Sequence, residues 1–298
     1  MNDAVTSDGR VLFEVDRDTR IATITLNNPS QRNSYDKPMR DDIARYLDIA
    51  VDDDDITVVL LRGAEGVFST GANMNNAYGW YDDGPNGVAA DQKRRPSQRR
   101  RLIVDRKTFG FYHEFLGFPK ITVGEISGFA LGGGFELALM TDISVIGRDA
   151  RIGMPATRFL GPALGSLHMF FHRLGPVLAR RMLLTGDIVT AGSVEHLGVF
   201  TETCEPAHVE ARARYWAQKA AKMPADGVVI AKEAFRLVEQ NQAYQGEEVS
   251  SYLFHAFGTN LQFSSDEFNF VKTRAQHGTK EAFRLRDEHF HVPEPDLT

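Results

Sequence analysis

Three adjacent glycines stand one turn ahead of a carboxylate in the run Gly128 to Glu136, Gly-Phe-Ala-Leu-Gly-Gly-Gly-Phe-Glu. Bare backbone lets a ligand oxygen approach the N–H groups directly. The apolar run Ile121 to Ile126 predicts a strand leading in, and Phe135 to Met140 a short helix leading out. The glycine amides would then lie at or beside a helix N-terminus, which attracts developing negative charge. Glu136 follows Gly133 by three residues, which on a helix returns to nearly the same face. Anion-stabilising amides one turn from a carboxylate suit enolate chemistry. Taken alone, Gly132 to Gly134 fit a tight, closely packed turn equally well. An acidic residue in a helix first turn is also worth about 0.3–1 kcal/mol by itself. The neighbouring amides favour the catalytic reading.

The flanking sequence predicts the elements that must position this run. Residues 11–15 and 21–26 read as two strands joined by the polar turn Asp16 to Arg20. Met39, Ile43, Tyr46, Leu47 and Ala50 have helical spacing within residues 36–51. Asp52 to Asp55 reads as a solvated turn. Thr57 to Arg62 is a continuous apolar strand of the kind buried on both faces. A Gly-rich loop ends in Phe68-Ser-Thr-Gly-Ala72, and residues 75–98 form a long segment of lid or disordered type. A helix is predicted over Ser97 to Leu116, stopped by Pro119. Strands follow at Asp142 to Ile146 and near Arg151 to Gly153. From Leu167 onward helices dominate: one broken at Gly175-Pro176, two over 206–222 and 227–240, and a charged helical tail from Ser264 to Phe290. Strands with helices first and helices alone afterwards indicate an α/β core, residues 1–200, followed by a helical region, residues 201–298.

Composition bounds the class. The chain has 298 residues, 42% hydrophobic and 25% charged, with a formal net charge of −6. This is a globular composition with ample core, and its acidity argues against general nucleic-acid binding. A single cysteine, Cys204, excludes an internal disulfide and a multi-thiolate metal site; no metal is expected. Met1 to Arg10 is polar and does not read as a signal peptide. No apolar run approaches the ~20 residues of a membrane span. The expected location is cytoplasmic.

Several motifs, in this order and spacing, resemble the crotonase superfamily, also called the enoyl-CoA hydratase/isomerase family. Ile24-Thr-Leu-Asn-Asn-Pro29 followed by Asn33 resembles its first strand and turn. Phe68 to Ala72 and Gly128 to Glu136 resemble its two oxyanion loops. Asp142-Ile143, Ile152-Gly-Met-Pro155, Leu184-Thr-Gly-Asp187, Ala191 and Leu197-Gly198 resemble the stretches that follow. The resemblance covers roughly residues 11 to 240. It implies a spiral of repeated ββα turns with a helical C-terminal region that helps build the pocket. It also implies homotrimers, often paired into hexamers. Family members act on acyl thioesters of coenzyme A, with CoA as substrate handle and no metal or redox cofactor.

By the same resemblance, the amides of Ala72 and Gly133 are the oxyanion donors and Glu136 is the first of two catalytic glutamates. Gly71, Gly132 and Gly134 would flank the acyl group, and Arg32 and Asn33 would lie toward CoA. Trp80, with Tyr78 and Tyr81, either lines the acyl pocket or packs the lid. The second glutamate of the hydratases is missing: its place holds Ala156, followed by Thr157 and Arg158. Asp82, Asp83 and Glu114 are candidate substitutes. Arg158 either meets a second anionic group on the substrate or forms a surface ion pair. His113 and His168 are bases or packing histidines. The basic run Lys93 to Lys107 suits either CoA phosphates or a solvated helix face, and RNA less well. The expected activity is that of an enoyl-CoA hydratase-like lyase. Enoyl-CoA isomerisation and C–C hydrolysis of a cyclic or β-keto acyl-CoA are the alternatives within the family. A non-catalytic CoA-binding protein is the alternative outside enzymes. A dinucleotide fold fails, because the last position of a G-x-G-x-x-G pattern begun at Gly132 falls on Leu137.

Overall fold

A computed structural model describes residues 8–76, 81, 97–161, 165–239, 241, 245–258 and 261–293. Strands β1 (Val11–Asp16) and β2 (Ile21–Leu26) form the antiparallel hairpin that their alternating pattern predicts, with Val11 opposite Leu26. Helix α1 (Lys37–Asp52) is capped by the Asp36 carboxylate, which accepts from the Met39 N–H. It buries Met39, Ile43, Leu47 and Ala50 and returns the chain to β3 (Val58–Gly63), parallel to β2. Tyr46, also in the predicted apolar set, is half-buried and stacks on Phe13 at 4.8 Å.

Helix α2 (Gln98–Leu116) is capped by Ser97 and leads to β4 (Ile121–Ile126), then β5 (Phe129–Leu131) and α3 (Gly133–Met140). Strands β6 (Ile143–Gly147) and β7 (Arg151–Gly153) precede α4 (Thr157–Leu160) and α5 (Leu167–Thr185), which breaks at Gly175 where φ is +68°. Strands β8 (Ile188–Thr190) and β9 (Glu202–Cys204) lead into α6 (Val209–Ala220), α7 (Ala225–Glu239), α8 (Gln245–Gly258), α9 (Phe270–His277) and α10 (Thr279–His289). The tail is therefore two helices rather than one, divided at Gly278.

The strands form two sheets, ordered β1-β2-β3-β4-β6-β9 and β5-β7-β8. Single bridges Tyr35–Ala72 and Ser69–Ala130 continue the second sheet toward the chain start. Successive passes through the first sheet are thus each followed by a short extended piece in the second, which is the spiral of ββα turns expected above. Buried Ile24, Leu61, Phe68, Ile126, Phe135 and Phe170 belong to the main core. On the other face of the first sheet, Ala213, Ala217 and Ala220 of α6 pack with Ile21, Leu60 and Val145. Since β9 pairs with β6 and α6 covers that sheet, the α/β layers run on past residue 200, where the core was expected to end. Among the described residues no helix is long and apolar enough to cross a membrane.

Candidate active site

Two loops far apart in sequence are fastened together by the backbone. The Ser69 N–H donates to Phe129 O at 2.9 Å, and the Leu131 N–H donates to Ser69 O at 3.0 Å. Gly71 has φ of +83°, and a β carbon there would lie 2.6 Å from Leu131 O and 2.7 Å from Gly133 N. Only glycine allows both that conformation and that approach. The Ser69 hydroxyl donates to Asn33 O at 2.7 Å and accepts from the Gly71 N–H at 3.0 Å, which pins the loop from below.

Ala72 and Gly133 line one cleft of about 1510 Å³ together with Gly132, Glu136 and Ala156. The bridge between Tyr35 and Ala72 uses Tyr35 N to Gly71 O and Asn73 N to Tyr35 O, so it leaves the Ala72 N–H out of the ladder. Gly133 opens α3, where the first amides have no intrahelical acceptor. Neither amide donates a hydrogen bond among the described residues. The hydroxyls of Tyr35 and Tyr112, 2.5 Å apart, lie against Gly133. Burial holds both phenols above their ordinary range, and the charge of Glu136 adds to this.

Glu136 is 5% exposed. Helix α3 is apolar nearly all round and buried, which carries the carboxylate inside with it. Its Oε1 accepts from the Ser166 N–H at 3.1 Å. Burial pushes its pKa up, while that hydrogen bond and the nearby His255 pull the other way. Gly165, with φ of +42°, packs over the carboxylate: a β carbon there would lie 2.6 Å from Oε1 and 2.5 Å from the Phe109 ring.

The structure divides the other candidates. Gly132, Arg32, Ala156 and Glu114 line the cleft. Gly71 and Gly134 do not; Gly134 packs on Ser69 and serves loop contact. Asn33 is fully buried and is not available to CoA. Its side chain accepts from the Asn28 N–H and donates to Ala64 O and Val67 O. Arg158 turns away from the cleft, donating to Thr185 O and facing Asp187, Asp287 and the Phe290 ring. Its partners are those of an ion-pair arginine, because α4 directs it toward the C-terminus of α5. His113 borders a separate hollow and His168 stacks on His172. Trp80, Tyr78, Asp82, Asp83 and Lys93 to Arg95 lie outside the described residues. From the rest of the basic run, Arg100 and Lys107 line the cleft, whereas Arg101 is buried over the Tyr81 ring. Asp142 receives Thr122 N and Lys232 Nζ, a purely internal role.

Three cleft residues escaped the sequence reading: Tyr112, Asp105 and His255. Asp105 and His255 are 150 positions apart on helices whose packing no local pattern reveals. An aspartate on the α2 face that also carries Phe109 and Tyr112 was the one available signal.

The family model described as enoyl-CoA hydratase/isomerase matches residues 16–280. A probable enoyl-CoA hydratase of Mycobacterium bovis is 27% identical over 267 residues, 88% of this chain and 95% of the relative. A 2,3-dehydroadipyl-CoA hydratase of Escherichia coli is 27% identical over 230 residues, 76% of this chain and 82% of the relative. Among solved structures, an enoyl-CoA hydratase from Mycobacterium smegmatis has a TM-score of 0.80 at 26% identity, covering 95% of this chain and 96% of that one. An enoyl-CoA hydratase/isomerase from Xanthobacter autotrophicus gives 0.80 at 25%, covering 95% and 99%. Matched along nearly its whole length and sharing the spiral fold, the chain belongs to the enoyl-CoA hydratase/isomerase family.

Proposed function

We propose that the chain is an acyl-CoA enzyme that stabilises a thioester enolate between the Ala72 and Gly133 amides, with Glu136 moving the proton. The reaction this favours is addition of water to an enoyl-CoA. The observation that carries the reading is the pair of amides outside the hydrogen-bond network, lining one cleft beside a buried carboxylate. Two backbone donors aimed at one oxygen stabilise the enolate without reorganisation, by about 3–4 kcal/mol each. The CoA thioester is the substrate, and neither a metal nor a redox cofactor enters this scheme. Arg32, Arg100 and Lys107 at the cleft suit its phosphates.

Isomerisation of the double bond is the second reading. It is favoured by Ala156, which puts a methyl group in the cleft where a second carboxylate would serve hydration. A panel of acyl-CoA thioesters incubated in heavy water separates the two. Net addition of solvent oxygen supports hydration. Deuterium at the α carbon with a shifted double bond and no added oxygen supports isomerisation. If Glu136→Gln leaves turnover of every accepted thioester unchanged, both readings fall.

A further inference from the structure

Adding water across a double bond needs one group to take the proton of water and another to deliver a proton to carbon. Glu136 can be one of these, and Ala156 cannot be the other. Helices α2 and α8 pack together and bring His255 Nδ1 to 3.1 Å from Asp105 Oδ2. Both residues line the cleft that holds Ala72, Gly133 and Glu136. We infer that His255, positioned by Asp105, is the second proton-transfer group of this cleft and works with Glu136 on the bound acyl chain. The inference rests on the acyl-thioester reading above.

Asp105 is almost completely buried, and the Tyr81 hydroxyl donates to its other oxygen, Oδ1, at 3.1 Å. The carboxylate is therefore held in place against the imidazole. Phe109 meets the imidazole edge-on at 5.2 Å, and the same phenyl ring abuts Gly165, which packs over Glu136 Oε1. One aromatic ring thus touches both the imidazole and the glycine that packs over the carboxylate. Asp105 from α2 and Glu136 from α3 face His255, and Arg101 of α2 is engaged on the Tyr81 ring. Burial keeps the Glu136 carboxyl inclined to hold its proton, which suits it as the acid.

The step balances as follows. The imidazole takes a proton from water as the water oxygen bonds to the β carbon. The electron pair of the double bond moves to the thioester oxygen, held by the two amides. The enolate collapses and its α carbon takes the proton of Glu136. The imidazolium proton returns to Glu136 through solvent, leaving a 3-hydroxyacyl thioester and the starting enzyme.

The test uses the full chain and whichever thioester the wild type turns over. His255→Gln should lower kcat about 10²- to 10⁴-fold with KM little changed. His255→Ala should recover part of its activity when free imidazole is added. Asp105→Asn should lower kcat with KM little changed, because the imidazole is no longer held in place. If instead His255→Gln lowers only Tm and imidazole rescues nothing in His255→Ala, the pair is a tie between α2 and α8 and the inference is overturned. A wild type that turns over no thioester overturns the acyl-CoA reading itself, and this inference with it.

Discussion

Gly71 and Gly133 are in contact: a β carbon on Gly71 would stand 2.7 Å from the Gly133 nitrogen. The position of one proposed oxyanion donor is therefore set by a residue of the other loop. Gly71→Ala must push backbone against backbone, and it also strains a φ of +83°. The expected loss of stability is about 1–3 kcal/mol. A displacement of the amide by about 1 Å would cost about 10²-fold in kcat. Thermal melts and steady-state kinetics on the same preparation check both. An alanine variant with unchanged kcat would show that the Gly133 amide takes no part.

Glu136→Gln should lose activity and gain stability. Burial raises the folded-state pKa of this carboxyl above its unfolded value. The native state then binds more protons than the unfolded state, so stability is complete below the unfolded pKa and falls as pH rises through the folded one. The glutamine variant avoids that fall. Its Tm advantage should be absent near pH 4, open above the ordinary carboxylate pKa of 4.5, and level off once the native carboxyl is ionised. Melts across a pH series measure it, and an advantage constant in pH would contradict the assignment.

Asn33→Ala should damage the fold and leave CoA affinity alone. The side chain holds Asn28 N, Ala64 O and Val67 O, and the residue sits at φ of +53°, which asparagine tolerates better than alanine. Leaving buried groups unsatisfied costs about 1–3 kcal/mol. Denaturant melts should record that loss, while the KM of an accepted thioester stays near wild type.

Helix α7 exposes Ile230, Phe235, Leu237 and Val238, each more than half accessible. Apolar clusters of this kind mark association surfaces. The expected state is a trimer, or a pair of trimers, of the 33.3 kDa chain. Light scattering after size exclusion should report it, and Ile230→Asp together with Phe235→Asp should shift the mass toward the monomer. A monomeric wild type would exclude the assembly.

Periodicity and turn chemistry made much of the molecule legible in the sequence. The hairpin, α1, β3, β4 and the break of α5 at Gly175-Pro176 all follow from local alternation, helical spacing or a breaker residue. The short strands β5, β8 and β9 do not, because three residues carry no period; their partners across the sheet create them. Glycines at 71 and 132 to 134 look alike in sequence. Folding separates them into two that line the cleft, Gly132 and Gly133, and two that let backbones touch, Gly71 and Gly134.

The same division holds for charged residues. The chain by itself determined that a carboxylate follows the glycine turn, since that spacing is local. Tertiary structure alone decided that Arg158 faces away, that Asn33 is consumed by its own turn, and that Asp105 and His255 meet beside Glu136. The physical reason is range. Hydrogen bonding and helical period act over a few residues, while burial and the juxtaposition of charges depend on which helix packs where.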